Sequence, residues 1–170
     1  MKNLILLLFM SFYMAINAQI EDVRFTTFTY LEPQHYVNIG DWEGDGFNIG
    51  FGLEYQSNIV YAKATTFAFP ELNDISYFDV GGAFGFNYQS QMRFWRIYTG
   101  FVGGRIWRNG VGDYSYMGGE LGLDYYLNGW NNGLFIGLQT SLTSSTDSKY
   151  YSNDDTITRW NLGLKIGISF

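Results

Sequence analysis

The chain has no cysteine, two prolines and one histidine among 170 residues, and only 15% of it is Asp, Glu, Lys or Arg. Without Cys there is no disulfide framework and no lipid attachment at an N-terminal thiol, so stability falls to packing and sheet closure. A charged fraction of 15% is well below the roughly one quarter of an ordinary soluble domain. Long apolar runs are missing beyond the first residues, and a mean hydropathy of -0.09 excludes a bundle of membrane helices. What the chain does have narrows the class further. A hydrophobic content of 46% excludes disorder, and 21 glycines without a three-residue period exclude a collagen helix. One compact, β-rich domain fits this length and composition.

The opening MKNLILLLFMSFYMAINAQ pairs a basic Lys2 with an apolar stretch from Leu4 to Met14 and a small-residue cleavage site ending at Ala18. This is the tripartite pattern of an export signal, and it is too short to span a bilayer as a helix. We therefore expect residues 1–18 to be a signal peptide and residues 19–170 to be the mature domain.

Beyond Gln19 the residues sort with period 2. Trp160, Leu162, Leu164, Ile166, Ile168 and Phe170 share one parity, while Arg159, Asn161, Gly163, Lys165, Gly167 and Ser169 share the other. Only a two-faced strand sorts residues in this way. The pattern repeats around residues 47–56, 77–87, 117–125 and 134–143, with weaker strands near 23–32, 59–69 and 94–107. In the last of these, Arg96 and Arg105 fall on opposite parities, which we read as a bulge at Gly103-Gly104. The total is eight strands. Short connections near 56–58, 89–91 and 128–132 alternate with longer ones at 33–45, 69–74, 108–113 and 146–156, the asymmetry of an up-and-down membrane barrel.

Alternation does not by itself say which face is outside. Charge does. The four longer loops hold nine acids against two bases, a net of −7, which is also the net charge of residues 19–170, so the remainder is neutral. A soluble barrel would spread charge over its outer surface. Here the charged parity gathers Arg24, Lys63, Arg96, Arg159 and Lys165 with Glu32, Glu54, Asp79, Glu120 and Asp124, five against five. We expect these ten side chains to form an ion network inside an all-β, eight-stranded antiparallel transmembrane barrel, because a barrel of eight strands is filled by side chains and buried charges need partners. A turn near 108–113 sets Arg96 level with Asp124. Trp95, Trp107, Trp130, Trp160, Tyr125 and Tyr126 are candidates for interfacial girdles.

These hairpins, the export signal and the terminal NLGLKIGISF resemble the OmpA-like family of small outer-membrane barrels over residues 19–170. The resemblance implies assembly in a Gram-negative outer membrane, contact with its lipid and lipopolysaccharide, and an assembly signal at Phe170 read by the barrel-insertion machinery. It brings no catalytic residue. The signal's ending NAQ looks like those of Bacteroidetes.

Candidates for chemistry are few. His35, with Asp74 and Ser76, faintly resembles the site of lipid A palmitoyltransferase barrels, but Ile75 separates the Asp from the Ser. Asp41-Trp42-Glu43-Gly44-Asp45-Gly46 begins like a calcium loop, yet Gly52 stands where the twelfth-position Glu belongs. Acidic loops disfavour nucleic acid. We therefore expect no cofactor, no metal and no enzyme. The expected role is structural or surface-interacting, with a small-solute channel as the alternative and a lipid A-modifying enzyme behind it.

Overall fold

The structure is a computed structural model that describes residues 23–33, 36–38, 41–43, 47–68, 71–72, 75–90, 93–108, 113–130, 133–145 and 158–170. Eight strands carry the architecture: β1 (Arg24–Pro33), β4 (Phe47–Gln56), β5 (Val60–Ala68), β7 (Ile75–Gln89), β8 (Trp95–Arg108), β9 (Tyr114–Trp130), β10 (Gly133–Ser145) and β11 (Thr158–Ser169). Three short strands lie between them: β2 (Tyr36–Asn38), β3 (Asp41–Glu43) and β6 (Glu71–Leu72). Each long strand pairs antiparallel with its neighbour in sequence, β1 also pairs with β11, and β5 with β7, so the sheet closes on itself. Closure removes the edges a flat sheet would leave unpaired. The chain is an eight-stranded antiparallel barrel, as the alternation implied.

Along every long strand the charged parity points inward. Asp124 and Arg96 are fully buried, while Leu123 and Ile97 beside them lie outside. Among the described residues, 29 large hydrophobic side chains are exposed, and the inside holds most of the polar ones. The wall is thus a soluble protein turned inside out.

Three sequence expectations change. No bulge occurs at Gly103-Gly104: pairing with β7 and β9 runs unbroken through Gly81↔Gly104 and Gly103↔Met117. Arg105 therefore keeps the outward parity of Trp107, and its side chain is 54% exposed. Tyr126 is not a girdle residue; it shares the parity of Asp124 and is wholly buried. The stretch 33–45 is not all loop, because β2 and β3 pair as a small hairpin with Val37 level with Trp42. The signal segment 1–18, His35, residues 44–46, Asp74 and residues 146–156 lie outside the described residues, as do the side chains of Ser76 and Trp130.

Inward rings depend on inward glycines. Phe28 lies level with Gly52, Tyr30 with Gly50, Tyr98 with Gly122 and Phe135 with Gly167. A Cβ at any of these glycines would collide with the ring opposite. The glycine excess is therefore spent largely on making room for lumen side chains.

Candidate functional site

Alternation delivers charged side chains to the lumen from seven of the eight barrel strands, and register decides which of them meet. Arg96 on β8 is level with Asp124 on β9, and its Nη1 donates to Asp124 Oδ2 at 2.8 Å. Its Nη2 pairs with Glu54 Oε1 across the lumen, and its Nε donates to Asn87 Oδ1 at 2.8 Å. Lys165 on β11 completes the group. Its Nζ lies 2.9 Å from both Asp124 oxygens and 3.7 Å from Glu54 Oε2, and donates to the Tyr98 hydroxyl at 3.1 Å.

Gly137 explains how Asp124 reaches that far. Strand β10 separates β9 from β11, and Gly137 is the residue level with both Asp124 and Lys165. A Cβ there would fall on Asp124 Oδ1, so only glycine leaves the carboxylate free to cross the intervening strand.

A second group lies toward the longer loops. Lys63 Nζ is 2.6 Å from Glu120 Oε2 and donates to Gln139 Oε1 at 2.8 Å, while the Tyr61 hydroxyl donates to Glu120 Oε1 at 2.6 Å. The Tyr98 hydroxyl donates to the same Gln139 oxygen at 3.2 Å and thereby links the two groups. Three cations and three carboxylates balance, and all six side chains are buried. Rings fill the space between them. The guanidinium carbon of Arg96 lies 4.4 Å from the Tyr98 ring centroid, and Lys165 Nζ lies 4.6 Å from the same ring. Cations against ring faces in a dry site gain electrostatic attraction beyond simple burial.

The remaining expected positions lie at the ends of this core. Asp79, on β7, accepts a hydrogen bond from the Tyr116 hydroxyl at 2.9 Å. Arg24 is buried at the turn end, near the layer where Tyr126 donates to Gln56 Oε1 at 3.0 Å. Glu32 and Arg159 occupy inward parity at Glu32↔Asn48 and Thr143↔Arg159, and their side chains lie outside the described residues. Sequence reading missed the lumen aromatics Phe28, Tyr61, Tyr98, Tyr126 and Phe135. Their signal was present, since each shares parity with a charged residue on its own strand or faces a glycine on the next.

Little free space is found among these side chains. Above the Lys63–Glu120 pair is a cavity of about 30 Å³ lined by Asp79, Tyr116, Ser141 and Asn161 among others, room for roughly two waters. A larger concavity, about 710 Å³, is a furrow on the outer wall between Leu53 and Ile166, lined by Thr27, Thr29 and Ala64. It is lined by no charged side chain. Among the described residues there is no cluster of His, Cys, Asp and Glu able to hold a metal.

No family model matches the sequence, and no curated protein does. The chain is similar in structure to the N-terminal beta-barrel domain of Pseudomonas aeruginosa OprF, at a TM-score of 0.47 and 15% identity, covering 86% of this chain and 97% of that one. It is also similar to Ail, the attachment invasion locus protein of Yersinia pestis, at a TM-score of 0.45 and 13% identity, covering 87% and 97%. A second structure of Ail, with the heparin analogue sucrose octasulfate, gives 0.46 and 16% over the same shares.

Proposed function

We propose that this chain is an integral outer-membrane barrel, exported on residues 1–18, whose plugged body holds acidic loops at the cell surface in a structural or surface-interacting role. It is not an enzyme on this reading. The observation that carries the proposal is the inverted wall: apolar side chains face out on all eight barrel strands, while six charged side chains are buried and paired within. In water such a wall would expose far more contiguous apolar surface than soluble monomers carry. Against hydrocarbon it is the favourable arrangement, because the closed ladder leaves no barrel strand at an open edge.

Several features support the details. Trp95 packs on Tyr125 at 4.5 Å between ring centroids near the turn end, and Phe78 on Trp107 at 5.8 Å near the loop end, as two interfacial rows would. Outer-membrane lipid and lipopolysaccharide surround the wall. The terminal Phe170 is outward, with its backbone bonded to Phe25 at 3.0 Å, where the insertion machinery can read it during assembly.

Membrane fractionation with heat-modifiable gel mobility tests location and closure together. The expected result is an outer-membrane protein whose unheated form migrates differently from the boiled form. Recovery as a soluble periplasmic protein would overturn the reading. Planar-bilayer recording separates plug from channel: the packed ion groups predict no sustained conductance, and a stable open-channel current would favour the small-solute channel instead.

A further inference from the structure

Arg105 is the one charged side chain that points outward from the eight barrel strands among the described residues. It stands level with Val80 on β7 and Ser115 on β9, two residues from Trp107 on the same face. Phe101 is six residues from each of Trp95 and Trp107 and marks the middle of β8. Arg105 is four residues from it toward the loops, about 10 Å above the middle for a rise of ~3.3 Å per residue and a tilt of ~40°. The apolar band of such barrels is about 25 Å tall, so Arg105 leaves the wall just inside its upper boundary and its side chain reaches the headgroup layer.

What surrounds the guanidinium suits an anion. Trp107 covers one side, with 5.8 Å from guanidinium carbon to ring centroid. Gly103, the next outward residue toward the middle, leaves the space below open; a Cβ there would meet only the Tyr116 carbonyl, at 3.3 Å. Asp113 approaches Nη2 at 3.7 Å, beyond hydrogen-bond distance. The planar fork of N–H donors thus stands at the bilayer boundary with the Asp113 carboxylate beyond direct hydrogen-bond reach. Charged groups at this depth are costly unless matched, and the guanidinium fork matches a phosphate in bidentate fashion.

We propose that Arg105 binds the phosphate of a lipid headgroup in the leaflet on the loop side of the barrel. This inference rests on the outer-membrane reading above. Asp113 is then the resident competitor that the phosphate displaces, and Trp107 holds the guanidinium at the right height.

The test uses the full mature chain refolded into phosphatidylcholine vesicles doped with phosphatidic acid, then extracted and weighed by native mass spectrometry to count retained lipids. Wild type should retain phosphatidic acid over phosphatidylcholine by about fivefold, the scale of one basic residue at an anionic surface. R105Q should bring the two lipids to parity, while R105K keeps part of the preference. D113N should raise the preference, whereas a simple Arg105–Asp113 pair would leave it unchanged. Inorganic phosphate added as a competitor should not strip the lipid; if it does, the source is free phosphate and the headgroup assignment falls. An unaltered preference in R105Q overturns the inference outright. A chain that never inserts sinks the outer-membrane reading and this inference with it, whereas one that inserts without an Arg105-dependent preference sinks this inference alone.

Discussion

Removing Arg96 is the most informative single perturbation, because its three nitrogens each hold a different partner: Asp124, Glu54 and Asn87. In Arg96→Met the aliphatic stem is largely kept, so little packing is lost. What changes is charge. The buried set becomes Lys63 and Lys165 against Glu54, Asp124 and Glu120, one uncompensated carboxylate among side chains at most 1% exposed. Breaking a buried ion pair by deleting one partner costs about 3 to 5 kcal/mol. Adding Glu54→Gln restores neutrality and keeps a polar oxygen facing Lys165 Nζ, which lies 3.7 Å from Glu54 Oε2. The double variant should therefore be more stable than Arg96→Met alone, with a coupling of about 1.5 to 3 kcal/mol for residues in one network. Urea unfolding of the refolded barrel in micelles, followed by tryptophan fluorescence, measures all four corners of the cycle. Additive losses would refute the claim that these charges act as one balanced unit. So would an Arg96→Met cost below about 1 kcal/mol, the level of an exposed pair.

Gly137→Ala should destabilise by about 1 to 3 kcal/mol, an overpacking penalty, because its Cβ would occupy the path of Asp124 toward Lys165; the same urea titration reads it. Tyr126→Phe should cost about 1 kcal/mol through the lost hydrogen bond, since Gln56 Oε1 loses its donor. Leu164→Arg places a cation on the outer wall and should cost about 2 to 4 kcal/mol if that wall meets the bilayer midplane. Measured as the yield of membrane-inserted protein, it should fall well below a polar change at inward Asn161. Equal yields would mean that the wall does not meet lipid.

Period-2 alternation made the strands and their faces legible because side-chain parity is a local property of extended backbone. Arg96 and Asp124 were legible too, since a hairpin turn fixes the register of the two strands it joins. Parity failed at Arg105. Two glycines beside a charged residue read as a bulge, on the assumption that a charge must point inward; the rim of the barrel tolerates one pointing out. Tyr126 was misread for a related reason, because an aromatic next to Tyr125 looked like a girdle, although the two adjacent rings necessarily face opposite ways.

The sequence by itself determined that this is a β-sheet protein and that its sheet has one apolar and one charged face. Both follow from composition and spacing along the chain. Which charges meet was decided only by closure. Glu54 and Arg96 lie on strands that share no hydrogen bond, as do Lys63 and Glu120, and Lys165 reaches Asp124 over a strand that had to carry glycine at the crossing point. Contacts across a lumen depend on the registers of all eight strands together, and no local pattern records that sum. Tertiary structure also decided what fills the lumen: rings set against glycines, with the ions held between them, rather than ions among glycines alone.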